Sequence, residues 1–397
     1  MGGKNLTRQW IAILNLSVVS AFVFLGVSLV SPILPQYART FNIPVALTGW
    51  AVSSYAMARV LTDLPAGMVC DRYGRKNLML VGLAIVVFSS LVAGLAQTYS
   101  LLIIGRFLGG LGSSLYITSS TSLLVDISQG GHRGKIMSVY SSLVFMGVSA
   151  GPALGGFVAA FYGIQAPFYV YALLSTIGLI TIALLHEPMS ENTKEKYVNW
   201  WSNIKALVSN RSFVLVNFSV FAIYFLGSGS RNTLLPLYAS INLGLGLDEI
   251  GLLISVAMVA TGLTIFPSGW LSDKVGRKIP LMAALFSSAL LTSLIPFQIT
   301  MSSLLMLIVV YGLAAGLQGS IVAWPVDIAP SDKTGIAIGL FRFIADLGIF
   351  LGPITVTYAS DYLNPNSIGF QAFLIPSIIA IFAGILLIRA NDPARKR

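Results

Sequence analysis

Residues 67 to 77 read GMVCDRYGRKN. Six of the first ten positions are charged or glycine, inside a chain that is 56% hydrophobic and only 10% charged. A near copy, GWLSDKVGRKI, stands at residues 269 to 279. Each stretch drops out of an apolar run and returns to one at once. Gly74 and Gly276 can supply a tight turn, since glycine tolerates positive φ. Arg72, Arg75 and Lys76, and likewise Lys274, Arg277 and Lys278, hold such a turn on one side of a membrane. Each stretch therefore reads as a short loop between two membrane-crossing helices.

The rest of the chain has the same grain. Soluble domains carry about a quarter charged residues, and here apolar runs of about 20 residues, each able to cross roughly 30 Å of hydrocarbon, recur from end to end. They lack the two-residue alternation of a membrane barrel. The expected class is an all-α membrane protein with twelve spans, near 11–34, 46–70, 78–96, 101–126, 135–160, 166–186, 213–238, 249–271, 279–298, 302–327, 336–359 and 368–389. The first is too long for a signal peptide and lacks a small-residue cleavage site, so it is expected to stay. The net charge of +10 is distributed as a topology signal rather than a nucleic-acid surface. With the N-terminus inside, Lys4, Arg8, both loop clusters and Arg395, Lys396 and Arg397 face the cytoplasm, and the outer loops keep only Arg39. Both termini are expected to be cytoplasmic in a plasma (inner) membrane. The single cysteine, Cys70, rules out an intramolecular disulfide framework, and two histidines at membrane edges argue against a metal site. No nucleotide-binding G-x-x-x-x-G-K-S/T occurs and no cofactor is expected, so energy should come from an ion gradient.

The chain is written twice. LPQYA at 34–38 returns as LPLYA at 235–239, a shift of 201. Asp71 returns as Asp273, VDI at 125–127 as VDI at 326–328, and Gly151-Pro152 as Gly352-Pro353. Landmarks in one order at one period indicate a duplicated six-helix unit, with both copies starting on the same side as parallel repeats. The expected domains are a bundle over 1–186, a cytoplasmic linker over 187–212 and a bundle over 213–397. In the linker, Trp200, Trp201, Ile204, Leu207 and Val208 share one helical face, away from Asn203 and Lys205, which suits an amphipathic helix in the inner interface.

These features resemble the major facilitator superfamily over essentially the whole length, and most of all its drug:proton antiporter families. Gly67, Asp71, Arg72, Gly74, Arg75 and Lys76 match the family's G-x-x-x-D-R-x-G-R-K loop. Arg106, Gly110 and Gly112 match its R-x-x-x-G-x-G pattern in the fourth span. Gly147, Gly151, Pro152, Gly155 and Gly156 match the fifth-span motif that the family associates with antiporters. The resemblance implies two pseudo-symmetric six-helix bundles, a small-molecule substrate, protons as partner and function as a monomer in lipid. It also implies that Asp71 faces the N-terminus of the eleventh span and that Arg72 or Arg75 bonds Asp126, with Asp273, Lys274, Gly276, Arg277, Lys278 and Asp327 repeating the latch. The alternative is a plain turn that fixes topology. The spacing of Gly147, Gly151 and Gly155 means close helix packing, and Pro152 removes a backbone hydrogen bond there.

Ionisable residues inside a span are costly and usually have a partner. The second span holds Arg59 and Asp63, and the eleventh Arg342 and Asp346. In the fold that the resemblance implies, these two helices meet and run in opposite directions. At about 1.5 Å per residue, Asp63 lies about 12 Å from the level of Asp71, which brings it opposite Arg342 and brings Arg59 opposite Asp346. The pairs can thus form across helices, or within each helix at i and i+4. The resemblance gives Arg106 a part in cavity polarity or proton relay. Arg231, in the stretch GSGSRNT, contacts an anionic substrate group or snorkels to the outer interface. Ser113 and Tyr116 in the polar stretch SSLYITSSTS, with Asn217, Tyr224, Tyr311, Gln318 and Trp324, are candidates to line a central cavity, or to be satisfied on their own helices.

The expected function is secondary active transport, proton-coupled efflux of small amphipathic organic compounds by alternating access, with no enzymatic step. No acid occurs in the first or seventh span, unlike many drug antiporters, which leaves Asp63 and Asp346 as coupling candidates. The alternatives are an exporter of sugars or organic anions, and a transporter-like membrane sensor.

Overall fold

The structure, a computed structural model, describes residues 2–128, 133–185, 200–330, 333–364 and 367–392. Among the described residues every regular element is helical. The chain runs through α1 (Gly2–Val30), α2 (Leu34–Arg39), α3 (Val45–Tyr73), α4 (Arg75–Gly94), α5 (Tyr99–Ile127), α6 (Arg133–Tyr162) and α7 (Ala166–Leu184). It continues through α8 (Trp200–Val208), α9 (Arg211–Leu226), α10 (Leu235–Ile241), α11 (Leu247–Val275), α12 (Lys278–Leu294) and α13 (Met301–Gly316). Then come α14 (Ala323–Ile328), α15 (Thr334–Leu363) and α16 (Phe370–Leu387). Eleven helical stretches among the described residues are long and apolar enough to cross a membrane. To these α3 adds a helix of 29 residues whose hydropathy is lowered by Arg59, Asp63, Asp71 and Arg72.

Three expected spans are interrupted. α1 passes through a 3-10 turn at Ser31–Ile33 into α2, where Pro32 and Pro35 lack the N–H that would continue the ladder. The span expected over 213–238 contains a π-helical segment, Gly227–Leu234, between α9 and α10. The span expected over 302–327 is broken by a 3-10 turn at Leu317–Ser320 between α13 and α14. Helix starts follow the capping rule that a side-chain oxygen takes an orphan N–H. Thr98 accepts from the Leu101 N–H at 3.3 Å and Thr300 from the Ser303 N–H at 3.2 Å, the same cap at equivalent places in the repeat. Proline inside a helix also recurs, Pro65 with Pro267 and Pro152 with Pro353.

The chain forms two compact units, Met1–Ile33 with Ser54–Lys196, and Leu34–Ser53 with Tyr197–Arg397. In the first, Leu16 and Val23 of α1, Met79 and Leu83 of α4, Leu124 of α5 and Ile182 of α7 meet in a core with no exposed surface. In the second, Leu234, Leu235, Leu253, Ile308 and Phe373 form a comparable core. Residues 34–53 belong to this second unit through backbone-directed bonds. Gln36 Nε2 donates to the Pro236 carbonyl at 2.8 Å, Ser53 Oγ to the Phe350 carbonyl at 2.6 Å, and Thr357 Oγ1 to the Ala46 carbonyl at 3.0 Å.

α8 is helical where the linker pattern places a helix, but its apolar face is divided. Leu207, with Ile204 beside it, packs onto Phe213 of α9 and Ile336 and Ala337 of α15. Val208, expected on the same face, is 53% exposed, because the helix turns by about 100° between neighbouring residues. The side chains of Trp200, Trp201 and Asn203, and residues 186–199, lie outside the described residues.

Candidate functional site

The two loop motifs come first. Gly74 has φ 84° and Gly276 φ 93°, a conformation that side-chain-bearing residues rarely adopt. That turn lets α4 and α12 begin at once after α3 and α11. In the first copy Arg75 pairs with Asp126 at the end of α5. In the second, Arg277 binds Asp327 at 3.1 Å, Asp273 at 2.8 Å and the Ser272 hydroxyl at 2.9 Å. Lys76 and Lys278 do a second job, alike in both copies. Lys76 Nζ donates to the Ala183 and Leu185 carbonyls at 3.0 and 2.7 Å, and Lys278 Nζ to the Ile388 carbonyl at 2.9 Å. Each lysine thereby satisfies the free carbonyls that end the last helix of its unit, where a cation also suits the helix dipole. Lys274 differs, resting 3.7 Å above the Trp270 ring. The side chains of Gly67, Asp71 and Arg72 lie outside the described residues. Sequence reading missed Asp392, whose Oδ2 accepts from the Lys278 backbone N–H at 2.9 Å beside Gly276.

The glycine motif presses two backbones together. A Cβ at Gly147 would stand 2.6 Å from the Ala21 carbonyl, and one at Gly151 would stand 3.0 Å from that of Leu25. Gly155 meets Leu29 in the same way. α6 therefore lies along α1 with no room for side chains between them, and Gly156 and Pro152 are buried beside this seam. The second unit repeats the seam: Gly348 and Gly352 of α15 would each set a Cβ 2.6 Å from a carbonyl of α9, of Phe221 and Phe225.

The intramembrane charges of the first unit are drawn together. Arg59 and Asp63 pair within α3 at 3.8 Å, the within-helix alternative. Ser114 of α5 donates to the other oxygen of Asp63; neither its hydroxyl nor its helix neighbour is an acid, so only the polar stretch around it signals the contact. Arg106 is buried with its guanidinium 4.7 Å from the centre of the Tyr55 ring, a cation–π contact. Among the described residues its Nε has no hydrogen-bond partner. Gly110 brings the α5 backbone against the Tyr55 carbonyl and so sets that contact. In the second unit Asp346 is 2% exposed and Arg342 is partly buried.

The eight cavity candidates separate into three groups. Tyr224, Arg231, Tyr311 and Gln318 line one cavity of about 330 Å³ in the second unit, with Asn232, Ser288 and a wall of Ile, Leu, Val and Ala residues. Asn217 instead donates to the Phe213 carbonyl four residues back at 2.9 Å, and Trp324 is fully buried in the apolar core of that unit. Ser113 and Tyr116 lie in the interior of the first unit, where the Tyr116 hydroxyl meets that of Ser20 at 3.0 Å. Among the described residues no cluster of His, Cys, Asp or Glu could hold a metal.

Two six-helix repeats, their loop motifs and the paired glycine seams now stand together. The sequence matches the Major Facilitator Superfamily over residues 16–239 and 218–397. The chain belongs to that superfamily. It is a multi-pass membrane transporter of twelve helices in two halves rather than an enzyme, and proteins of this superfamily carry small molecules. It is 26% identical over 343 residues to a Bacillus subtilis (strain 168) protein named multidrug resistance protein 2, covering 83% of this chain and 84% of that one. An MFS-type transporter of Methanocaldococcus jannaschii is 26% identical over 401 residues, covering 96% of this chain and 97% of its own. Among solved structures, a D-xylose–proton symporter superposes with a TM-score of 0.78 at 15% identity, covering 97% of this chain and 99% of that chain, a likeness of fold.

Proposed function

We propose that this transporter exports small amphipathic organic compounds in exchange for protons. The observation that carries the reading is the cavity of the second unit. Its volume, about 330 Å³, lies within the range of small-molecule sites, roughly 300–1,000 Å³. Its wall is mostly apolar with a few polar groups, the character an amphipathic solute requires. Kinship with a protein named for multidrug resistance supports efflux, and the glycine seam of α6 carries the antiporter motif of the resemblance. Asp63 and Asp346 are acids within helices and serve as candidate coupling groups, since a carboxylate can exchange a proton when its surroundings alternate. In this reading the bundles 1–186 and 213–397 alternate access to a midplane site, with 187–212 as a cytoplasmic linker. The protein works as a monomer in the plasma membrane, with both termini in the cytoplasm.

The test is proton movement in proteoliposomes. Addition of a transported compound should release protons on the side from which it is taken, and an imposed pH gradient should drive its accumulation. A broad panel of amphipathic compounds that neither moves protons nor responds to the gradient would overturn the reading.

A further inference from the structure

One charged side chain of the cavity has no part in the loops or in the acidic pairs. Among the described residues that line the cavity Arg231 alone is charged. Its Nε donates to Asn232 Oδ1 at 3.0 Å, and among the described residues no carboxylate forms an ion pair with it. A guanidinium in a membrane span without an anion is costly, and its usual partners are carboxylates or phosphates.

The backbone around Arg231 is built irregularly. Gly227–Leu234 is π-helical, with the Leu235 N–H bonded to the Ser230 carbonyl and Thr233 Oγ1 donating to the Ser228 carbonyl at 2.9 Å. A π-turn holds an extra residue, weakens the local ladder and occurs often at functional sites. Gly227 leaves room beside the guanidinium: a Cβ there would stand 3.7 Å from Nη2. Packing does not demand an arginine here. At the repeat's shift of 201, position 231 corresponds to Val30, which is fully buried at the end of a regular helix. The second copy thus departs from the first in residue and in helix type at one point, and that point faces the cavity.

We infer that Arg231 is an anion subsite, and that the compounds this cavity takes include amphiphiles with a single carboxylate and an apolar or aromatic body. Nη1 and Nη2 suit a carboxylate held through two parallel hydrogen bonds. Tyr224 and Tyr311 offer rings to an aromatic body, and the aliphatic wall suits the remainder. A lone halide or phosphate would leave most of this apolar volume unfilled. The inference rests on the transport reading above and narrows its substrate class.

Binding to the purified full-length protein in nanodiscs tests it with three probes that share one ring: 2-naphthylacetate, 2-naphthylacetamide and 2-naphthylmethylammonium. In the unaltered protein the carboxylate should bind about 10- to 100-fold more tightly than the amide, the range of a charge-assisted pair. The ammonium should bind most weakly. Arg231→Gln should abolish the preference for acid over amide, and Arg231→Lys should retain part of it. Equal affinities for acid and amide in the unaltered protein overturn the inference without any variant, and so does failure of every probe to bind. A preference that survives in folded Arg231→Gln protein also overturns it. Transport of amphiphiles with no distinction between acid and amide would sink the subsite and leave the transport reading intact. Tight, Arg231-dependent binding without transport of any compound would uphold the subsite and sink the transport reading.

Discussion

Neutralising Asp63 separates its structural role from its proposed coupling role. Asp63 Oδ2 stands 3.8 Å from Arg59 Nη2, and the two side chains are 13% and 20% exposed. At that distance and an effective dielectric constant of about 20, the attraction is about 4 kcal/mol. Desolvation of both groups offsets part of it, and neither is deeply buried. The loss on removing the charge should therefore fall below the roughly 3–5 kcal/mol of a fully buried broken pair, at about 2–3 kcal/mol. Asp63→Asn is the informative change, because the amide oxygen can still accept from Ser114 and the volume is kept.

Stability can be read with a fluorogenic thiol dye, since Cys70 is the single cysteine and is buried in the folded chain. Asp63→Asn and Arg59→Gln should each destabilise, and the double variant should lose clearly less than the two losses combined. For transport, Asp63→Asn should still exchange substrate for substrate across a vesicle membrane but lose accumulation driven by a pH gradient. Gradient-driven accumulation at the unaltered level would refute coupling through Asp63 and leave Asp346 as the candidate. Strict additivity in the stability cycle would refute the energetic argument.

Arg277→Gln should lower stability by about 1 kcal/mol, because the arginine holds Asp273 and Asp327 at a solvent-facing site where each pair contributes about 0.2–1 kcal/mol. The same variant should slow the change between the two facing states, seen as altered labelling of an engineered loop cysteine; unaltered labelling reduces the motif to a turn. Gly352→Val should cost about 1–3 kcal/mol or prevent assembly, since its Cβ would stand 2.6 Å from the Phe225 carbonyl, and unchanged thermal stability would reject the tight seam. Cys70 should react with an impermeant thiol reagent slowly, and faster from the cytoplasmic face; faster reaction from outside in oriented vesicles would overturn the charge-based topology.

Much of the fold was legible because its signals are cumulative. A span announces itself through some twenty apolar residues, and a repeat through several landmarks at one shift, so single exceptions such as Arg59 do not hide them. The loops were legible for a similar reason: Gly74 and Gly276 each sit among cations where the chain must reverse. The π-helical segment was not, since hydropathy measures length and cannot register a change in hydrogen-bond spacing. Its only trace is Gly227 and Gly229 set between serines. Nor could the pattern divide the polar and aromatic residues of the spans. Tyr311 and Trp324 look alike as candidates in sequence and both pack into the core of the second unit, yet only Tyr311 of the two also lines the cavity, because helix rotation decides which way each points. Asp392 was hidden by distance: it stands 114 residues beyond Lys278, whose backbone N–H it accepts.

Comparison of the two repeats suggests how one scaffold came to hold two kinds of chemistry. What both copies keep is mechanical: the positive-φ glycine, the arginine–aspartate pair at the loop, the lysine that caps the last helix, and the glycine seams of α6 on α1 and α15 on α9. What they do not share is charge inside the spans. Where α3 carries Arg59 and Asp63, the shift of 202 that relates Asp71 to Asp273 places the uncharged Thr261 and Ile265 in α11. Where α1 ends in Val30, the second copy places Arg231 in a cavity. Duplication makes this separation possible: one copy can gain a costly polar group while the paired motifs still maintain the fold. In the proposed mechanism an acid, Asp63 or Asp346, takes the proton and the guanidinium of Arg231 takes the substrate. An exchanger gains from that arrangement, because the two ligands need not compete for one side chain and can be coupled through the states that expose each in turn.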